Sequence, residues 1–400
     1  MRRLINNLRI RTSNLSSGLS SSLNLNPYPI NSINNHKPSY YLKFCLSIFC
    51  TILLIFLLSF PVDNIPSMIA TLPTVVPTVD AYGFSSSLDS LSSSQLDQRL
   101  ADMKATGANW VRFDVSWDKV QSQDKNHYDW SAYDAIEGSI KKHDMHGLGI
   151  IDFSPLWARD SNCLDSKMCG PKNVSDFADF SGAVVRRYSP SGIKDWEIWN
   201  EPNISFRFHP KADPEKYTEL LKAAYIEIKK SVPTSFVIVG GTAPSATDSN
   251  NLRPADFLDQ IYNYGAKGYF DAVAAHPYTY PDSPSDNLPL GAWAQLQTMH
   301  NSMVSHGDGN KKIWITEFGA PTSGPNLKGE YVTETQQAQI LTDAISIFHS
   351  YSWSGPFFWY DYKDTGKSTR TSENFYGLIR DDNSHKPAYD VWVKAITEYR

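Results

Sequence analysis

The chain has 400 residues, which is enough for one large domain or two domains of ordinary size. A formal net charge of -5 and the lack of a basic stripe exclude a protein that binds nucleic acid through its charge. The sequence contains no His-rich run, no paired Cys-x-x-Cys motif and no glycine-rich phosphate loop, so it predicts no metal site and no cofactor.

The first 80 residues differ in composition from the rest of the chain. Residues 1–43 are rich in asparagine and serine and carry basic but no acidic side chains, which predicts a disordered region. Residues 44–60 form an uncharged apolar run that is about long enough to cross a bilayer as a helix. Basic residues before this run place the N-terminus inside and the remaining chain outside. An uncleaved anchor and a cleaved signal segment fit equally well, and residues 61–80 are predicted to be a linker.

Residues 81–400 alternate short apolar runs with longer amphipathic stretches, which is typical of parallel strands joined by helices. In chain order, the predicted strands are Ala81–Phe84, Trp110–Trp117, Gly147–Phe153, a run ending at Glu201, Phe236–Gly241, Phe270–Tyr278, Ile313–Phe318 and Phe357–Tyr362. The predicted helices are Ser94–Thr106, Ser131–Met145, Ser175–Tyr188, Pro214–Val232, Pro254–Tyr264, Ala292–His306, Thr333–Tyr351 and Lys386–Tyr399.

A polar pair ends the fourth predicted strand. Residues 196–203 read Trp-Glu-Ile-Trp-Asn-Glu-Pro-Asn, in which the apolar side chains suit a buried strand and Pro202 ends its ladder. Asn200 and Glu201 therefore lie where the strand becomes a loop. A mostly apolar wall favours the protonated form that a carboxyl group needs as a general acid. The alternative for Glu201 is a surface carboxylate in a turn.

The seventh predicted strand also ends near a glutamate. Residues 312–319 read Lys-Ile-Trp-Ile-Thr-Glu-Phe-Gly, an apolar run that is rich in β-formers and ends near Glu317. Two carboxyl groups on two strand ends are what cleavage of a glycosidic bond requires. One group protonates the leaving oxygen, and the other attacks the anomeric carbon or activates a water molecule.

These two motifs together resemble clan A of the glycoside hydrolases. The longer string around Glu201 is most similar to family 39 and its bacterial relatives, with family 5 cellulases as near neighbours. The resemblance covers roughly residues 80–400 and implies a (β/α)8 TIM barrel in residues 81–400. It also implies that Glu201, after strand four, is the acid/base and that Glu317, in strand seven, is the nucleophile.

The resemblance implies further residues that contact the sugar. Asn200 corresponds to the residue that binds the 2-hydroxyl group, and its alternative is an asparagine that only forms the turn. His276 and Tyr278 follow strand six, where clan members bind the glycone or orient the nucleophile. A tyrosine hydroxyl group beside a carboxylate would hold it ionised, whereas His276 could instead be a structural histidine.

Arg112, in predicted strand two, needs a carboxylate partner because a buried guanidinium cannot remain unpaired. The nucleophile Glu317 is the expected partner, and this pairing would lower the pKa of that carboxyl group. The alternative partner is Asp114 or another acid of the barrel. Glu197 lies inside strand four and is predicted to be a satisfied core carboxylate.

Tryptophan side chains suit stacking on sugar rings, although most tryptophans belong to the core. Trp359 in strand eight is predicted to form an aromatic floor under the reacting sugar. Trp157 is predicted to stack at a neighbouring subsite. Cys163 and Cys169 are predicted to form a small disulfide-closed loop if the protein is exported.

The sequence therefore predicts a glycosidase that cleaves a β-linked oligo- or polysaccharide with retention. Its partners would be that glycan and, if residues 44–60 are not cleaved, the membrane, with no nucleic acid. Two alternatives stay open: a cell-surface glycan-binding protein without catalysis, and a transglycosylase that uses the same residues.

Overall fold

The computed structural model describes residues 81–163, 166–286, 288–325, 329 and 331–398. All of them lie in one unit, Val75–Arg400. Eight parallel strands pair in chain order and the last pairs with the first, which closes a barrel. The strands are β1 (Tyr82–Ser85), β2 (Trp110–Ser116), β3 (His146–Asp152), β4 (Asp195–Ile198), β5 (Phe236–Thr242), β6 (Ala272–Ala275), β7 (Ile313–Phe318) and β8 (Ser354–Tyr360).

Helices connect successive strands, and a last helix follows β8. In chain order the helices are α1 (Ser93–Ala105), α2 (Trp117–Val120), α3 (Ser131–Lys142), α4 (Val174–Tyr188), α5 (Pro214–Ser231), α6 (Pro254–Asn263), α7 (Ala292–Ser305), α8 (Glu334–His349) and α9 (Pro387–Glu398). The (β/α)8 barrel expected from the sequence is therefore confirmed.

Predicted and observed strand boundaries differ at β4, β6 and β8. The run predicted to end at Glu201 stops pairing at Ile198. The prediction extended β6 to Tyr278, but pairing ends at Ala275, shortly before Pro277, which has no N–H to donate. The prediction began β8 at Phe357, whereas the strand begins at Ser354. The short helix α2 was not predicted, because Trp117 was assigned to strand two.

The core has two parts. A small cluster fills the barrel interior and consists of Leu148, Ile238, Ala272, Ala274, Trp314 and Phe358. A larger cluster fills the layer between the strands and the surrounding helices. Period-two alternation within each strand separates the two clusters, because successive side chains point to opposite faces of the sheet. Above the interior cluster, towards the C-terminal ends of the strands, the inward side chains become polar.

The anchor or signal segment predicted at residues 44–60 lies outside the described residues, as do the disordered region and the linker. Within residues 81–398, so far as the structure describes them, no helix has the length and apolar character needed to span a bilayer.

Candidate active site

A cavity of about 660 Å³ opens at the C-terminal ends of the barrel strands, where (β/α)8 enzymes place their catalytic groups. We refer to it as the cleft. Its lining side chains come from strands and from the loops that follow them, and they include Ser85, Arg112, Asp114, Phe153, Asn200, Glu201, Arg207, Tyr278, Tyr280, Glu317, Tyr360, Glu373 and Tyr376.

Glu201 and Glu317 face each other in this cleft. One carboxylate oxygen of each, together with a ring nitrogen of His276, lies within 4.8 Å of the others. Glu317 is the penultimate residue of β7. Glu201 follows β4 in a tight turn, where Trp199 and Glu201 have positive φ angles of 67° and 51° and Glu201 N donates to Gly241 O at 2.9 Å. The turn directs the Glu201 side chain back over the barrel.

Arg112 lies at the floor of the cleft and forms hydrogen bonds to residues of β4 and β7 and of the turn after β4. Its Nη1 donates to Glu317 Oε1 at 2.5 Å, and its Nη2 donates to Asn200 Oδ1 at 2.9 Å. Its Nε and Nη2 bind both oxygens of Glu197, at 2.7 and 3.0 Å. The guanidinium thus pairs with Glu317, the partner favoured from the sequence. The alternative partner Asp114 forms no hydrogen bond with it among the described contacts.

Glu197 is fully buried and fully paired. It accepts hydrogen bonds from Arg112 and also one from Gly241 N at 2.7 Å. This arrangement matches the satisfied core carboxylate expected inside strand four. Glu197 gives Arg112 a second carboxylate partner. The buried guanidinium therefore does not depend on Glu317 alone.

Glu317 is held in its ionised form. Burial alone would raise its pKa, but the nearby charge of His276 and Arg112, together with the Arg112 hydrogen bond, outweighs burial and lowers the pKa to about 2. Tyr278 Oη donates to Glu317 Oε2 at 2.9 Å. Burial and the Glu317 charge raise the pKa of Tyr278 well above its usual range, so its hydroxyl group keeps the proton that it donates.

His276 lies below the cleft surface and is fully buried. Its Nδ1 is 3.1 Å from Glu201 Oε1, and its Nε2 is 3.0 Å from Thr316 Oγ1. His276 is not among the residues that line the cleft. This position does not favour the predicted direct contact with a sugar. The ring lies between the two carboxyl groups instead, with Nδ1 also 3.7 Å from Glu317 Oε2, and so can orient both of them.

Asn200 lines the cleft and uses its Oδ1 to accept from Arg112. Its Nδ2 has no acceptor among the described residues. The amide N–H groups are consequently available to a hydroxyl group of a bound molecule, and the bond from Arg112 fixes which atom of the amide faces the cleft.

The predicted aromatic floor is wrong. Trp359 is fully buried in the layer between barrel and helices, and its Nε1 donates to Tyr376 O at 3.2 Å. Its neighbour Tyr360 lines the cleft instead, because the two side chains of β8 point to opposite faces. Trp157 also lies away from the cleft lining, packed edge-on against Trp117, with Nε1 donating to Gln121 O at 2.7 Å.

The sequence analysis missed Arg207, which lies in the loop after β4 and lines the cleft. Arg207 Nε donates to Glu201 Oε2 at 3.0 Å. A basic residue six positions after a candidate catalytic glutamate was the available signal. Tyr360, Tyr376 and Glu373 were also missed, and for Tyr360 the alternation of β8 was the signal.

A disulfide joins Cys163 and Cys169 and closes a segment in the loop after β3. Met168, near the end of this segment, adjoins the loop that carries Arg207, since His209 N donates to Met168 O at 3.0 Å. The closed segment therefore borders the cleft on the side of Glu201.

Glu201, His276 and Glu317 offer three atoms of types that bind metals. Arg112 and Arg207 already donate to the two carboxylates, so a cation would lie beside two guanidinium groups. This charge distribution disfavours a metal ion and suits two carboxyl groups that act on a substrate directly.

A (β/α)8 barrel with two carboxyl groups facing each other in the cleft at the C-terminal ends of its strands defines a glycoside hydrolase. The family model described as cellulase (glycosyl hydrolase family 5) matches residues 77–361, well over half of the chain. The chain therefore belongs to glycosyl hydrolase family 5. The resemblance to clan A is confirmed, and the family shown is the one that the sequence placed second to family 39.

Solved structures with the same fold include several glycosidases. A family 39 glycoside hydrolase from Bacteroides cellulosilyticus WH2 is 21% identical with a TM-score of 0.65, and the match covers 80% of this chain and 63% of that one. A GH5_18 protein from Streptomyces cattleya, in complex with GlcNAc, is 15% identical with a TM-score of 0.60 over 80% of each chain.

An endo-β-1,4-glucanase from Xanthomonas axonopodis pv. citri is 15% identical with a TM-score of 0.56, over 80% of this chain and 99% of that one. The chain thus spans just under two thirds of the family 39 enzyme and nearly all of the glucanase. No curated protein sequence matches it. At these identities the structures establish the shared fold.

Proposed function

We propose that this glycoside hydrolase cleaves a β-linked glycan with retention of configuration. The observation that carries the proposal is the short separation, within 4.8 Å, between a carboxylate oxygen of Glu201 and one of Glu317. Retaining enzymes hold their carboxyl groups about 5–5.5 Å apart, whereas inverting enzymes need about 6.5–9.5 Å to admit a water molecule between group and substrate.

Glu317 is the nucleophile in this proposal. Its low pKa, near 2, keeps it ionised at any physiological pH, and Tyr278 and Arg112 hold one oxygen each. Glu201 is the acid/base. In the first step Glu317 attacks the anomeric carbon, the bond to the leaving oxygen breaks, and Glu201 gives that oxygen its proton. A covalent glycosyl-enzyme results.

The second step reverses these roles. Glu201, now ionised, takes a proton from a water molecule, whose oxygen attacks the anomeric carbon while the bond to Glu317 breaks. The product has the configuration of the substrate, and both carboxyl groups return to their starting forms. The free amide N–H of Asn200 is placed to donate to the 2-hydroxyl group, a contact that strengthens as positive charge develops on the sugar.

An oligo- or polysaccharide is the proposed substrate. The family is described by its cellulases, and a structural neighbour is named as an endo-β-1,4-glucanase, so a β-1,4-linked glucan is the first substrate to test. We further propose that the domain acts outside the cytoplasm, exported or tethered through residues 44–60. The disulfide between Cys163 and Cys169 supports this location, because such bonds persist in oxidising compartments.

The experiment is hydrolysis of aryl β-glycosides and β-linked polysaccharides by the full chain, beside Glu317→Ala and Glu201→Ala. We expect Glu317→Ala to lose activity on every substrate. Glu201→Ala should retain more activity on aryl glycosides, whose leaving groups need little protonation, than on the polysaccharide. A folded wild type that binds a glycan and cleaves none would favour the non-catalytic alternative, and activity that survives Glu317→Ala would remove that residue from the mechanism.

A further inference from the structure

Arg207 presents unused hydrogen-bond donors to the cleft. Its side chain is 32% exposed and lines the cleft, and its guanidinium lies over the Phe206 ring, 5.3 Å from the ring centroid. Only Nε has a hydrogen-bond acceptor, the carboxylate of Glu201. Its Nη1 and Nη2 have no acceptor among the residues that the structure describes. An arginine that served only to hold Glu201 would not need to face the cleft with these donors free.

Lys167 is a second cation on the same side. It lies in the segment closed by the disulfide and behind the cleft lining, with its Nζ 3.8 Å from the centroid of the Phe153 ring, which does line the cleft. No carboxylate of the described residues pairs with it. Its position is fixed from two directions, since Ser154 N donates to Lys167 O at 2.9 Å and the adjoining Met168 accepts from the Arg207 loop through His209.

The nearby acids do not neutralise these two cations. Asp152 lies under them, but it is fully buried and neither of its oxygens has a hydrogen-bond partner among the described residues. Burial and the charge of Asp114 raise its pKa well above the usual range, which favours the neutral form. Asp114 and Glu373 line other parts of the cleft, on β2 and after β8. Arg207 pairs with the Glu201 carboxylate through Nε, which leaves its two Nη groups for an anionic group of a bound molecule.

The position of Glu201 determines which sugar of the substrate lies beside Arg207 and Lys167. As the acid it must lie beside the oxygen of the bond that breaks, so the leaving sugar occupies the side of Arg207 and Lys167. We propose that the sugar on the leaving side carries an anionic substituent, a uronic acid carboxylate or a sulfate ester, and that Arg207 and Lys167 bind it. The sugar attacked by Glu317 would be neutral. This inference rests on the function proposed above and names its substrate class.

Binding of this kind would also act on the acid itself. A planar guanidinium can bind a carboxylate through two parallel N–H groups. When the substrate anion draws Arg207 towards itself, Glu201 and the substrate share one guanidinium. Recognition of the leaving sugar and the position of the acid are thereby coupled through one side chain.

The test compares three oligosaccharides with the full-length chain. The first is cellotetraose, the second carries a carboxylate at C6 of the glucose on the leaving side, and the third carries a 6-sulfate there. We expect kcat/KM for one anionic substrate to exceed that for cellotetraose by at least about tenfold, as a charge-assisted hydrogen bond would give. The better of the two anionic substrates identifies the substituent.

Variants show which residues cause the preference for an anionic over a neutral oligosaccharide. Arg207→Gln should abolish most of it, Arg207→Lys should restore a part, and Lys167→Gln should reduce it. Lys211→Gln is the matched control, since Lys211 is an exposed lysine four positions after Arg207 that, unlike Lys167, packs on no lining residue among the described contacts. The ratio between anionic and neutral substrates is the readout, because a general loss of catalysis affects both equally.

Binding measurements separate this inference from the proposed function. Calorimetric titration of Glu317→Gln with the same oligosaccharides does not depend on cleavage. Tighter binding of an anionic oligosaccharide that disappears in Glu317→Gln/Arg207→Gln supports the inference even for a protein that cleaves nothing. Equal binding and equal cleavage of neutral and anionic oligosaccharides would overturn it, as would a preference that persists without Arg207 and Lys167.

Discussion

The carboxylate partners of the buried Arg112 could be predicted from the sequence only in part. A guanidinium inside a barrel needs carboxylates, and the sequence offered Glu317, with Asp114 or another acid of the barrel as the alternative. The structure adds Glu197 as a second and bidentate partner. That pairing depends on the distance between β2 and β4 across the closed barrel, which no local pattern in the sequence contains. The sequence could name the residues of the site but not the network that joins them.

At the same scale, Tyr278→Phe tests how the nucleophile is held. The hydroxyl group of Tyr278 donates to Glu317, and its loss removes one hydrogen bond to a charged group, so we expect kcat to fall by about 10–100-fold. The Glu317 pKa of about 2 should rise, which moves the acid limb of the kcat/KM profile to higher pH, because ionised Glu317 is then lost at a higher pH.

Tyr128→Phe is the control for this variant, since Tyr128 is an exposed tyrosine on the loop before α3. Its activity and pH profile should match the wild type. A Tyr278→Phe enzyme with unchanged kcat and an unchanged acid limb would show that Arg112 alone holds Glu317.

At the scale of elements, the positions of strands and helices followed from alternating apolar and amphipathic runs, and most predicted ends were within a few residues. The errors have local causes. Trp359 was chosen as the aromatic floor by residue type, whereas the alternation along β8 places Tyr360 in the cleft and Trp359 among the helices. Residue type alone did not distinguish the faces of this strand.

Gly241 in β5 gives a prediction at this scale. A Cβ atom on Gly241 would overlap the ring of His276, which is fully buried and cannot move towards solvent. We expect Gly241→Ala to displace His276 from Glu201, to lower the melting temperature and to lower kcat. Gly138→Ala in α3 is the matched control, because nothing lies within 4 Å of its added methyl group. The control should be neutral or slightly stabilising; equal behaviour of the two variants would contradict the packing described for β5.

At the scale of the whole molecule, the closed barrel brings together strand ends that are more than a hundred residues apart in the chain. The sequence predicted this arrangement through its two glutamate motifs. It did not predict that Arg207 and Lys167 lie on the side of Glu201, because both residues are on irregular loops with no periodic pattern. Loop residues of this kind set the substrate, whereas the barrel sets the chemistry.

The stability of the barrel should depend on Asp195, the first residue of β4. Burial, with a smaller effect of the Asp271 carboxylate, raises its pKa from 3.8 to about 7. The folded state therefore holds a proton that the unfolded state loses, and this contribution to stability declines as pH rises from about 4 to 7. Asp195→Asn should raise the melting temperature at pH 8 more than at pH 4. A difference that is equal at both values would contradict the burial of this carboxyl group.

The most direct test of the central claim is to trap the covalent intermediate. A 2-deoxy-2-fluoro β-glycoside with a good leaving group, based on the sugar that the enzyme cleaves, slows the second step more than the first. We predict one label per chain, found by peptide mass spectrometry on Glu317, and no label on Glu317→Gln. A label on another residue, or cleavage that releases a product of inverted configuration, would contradict double displacement through Glu317.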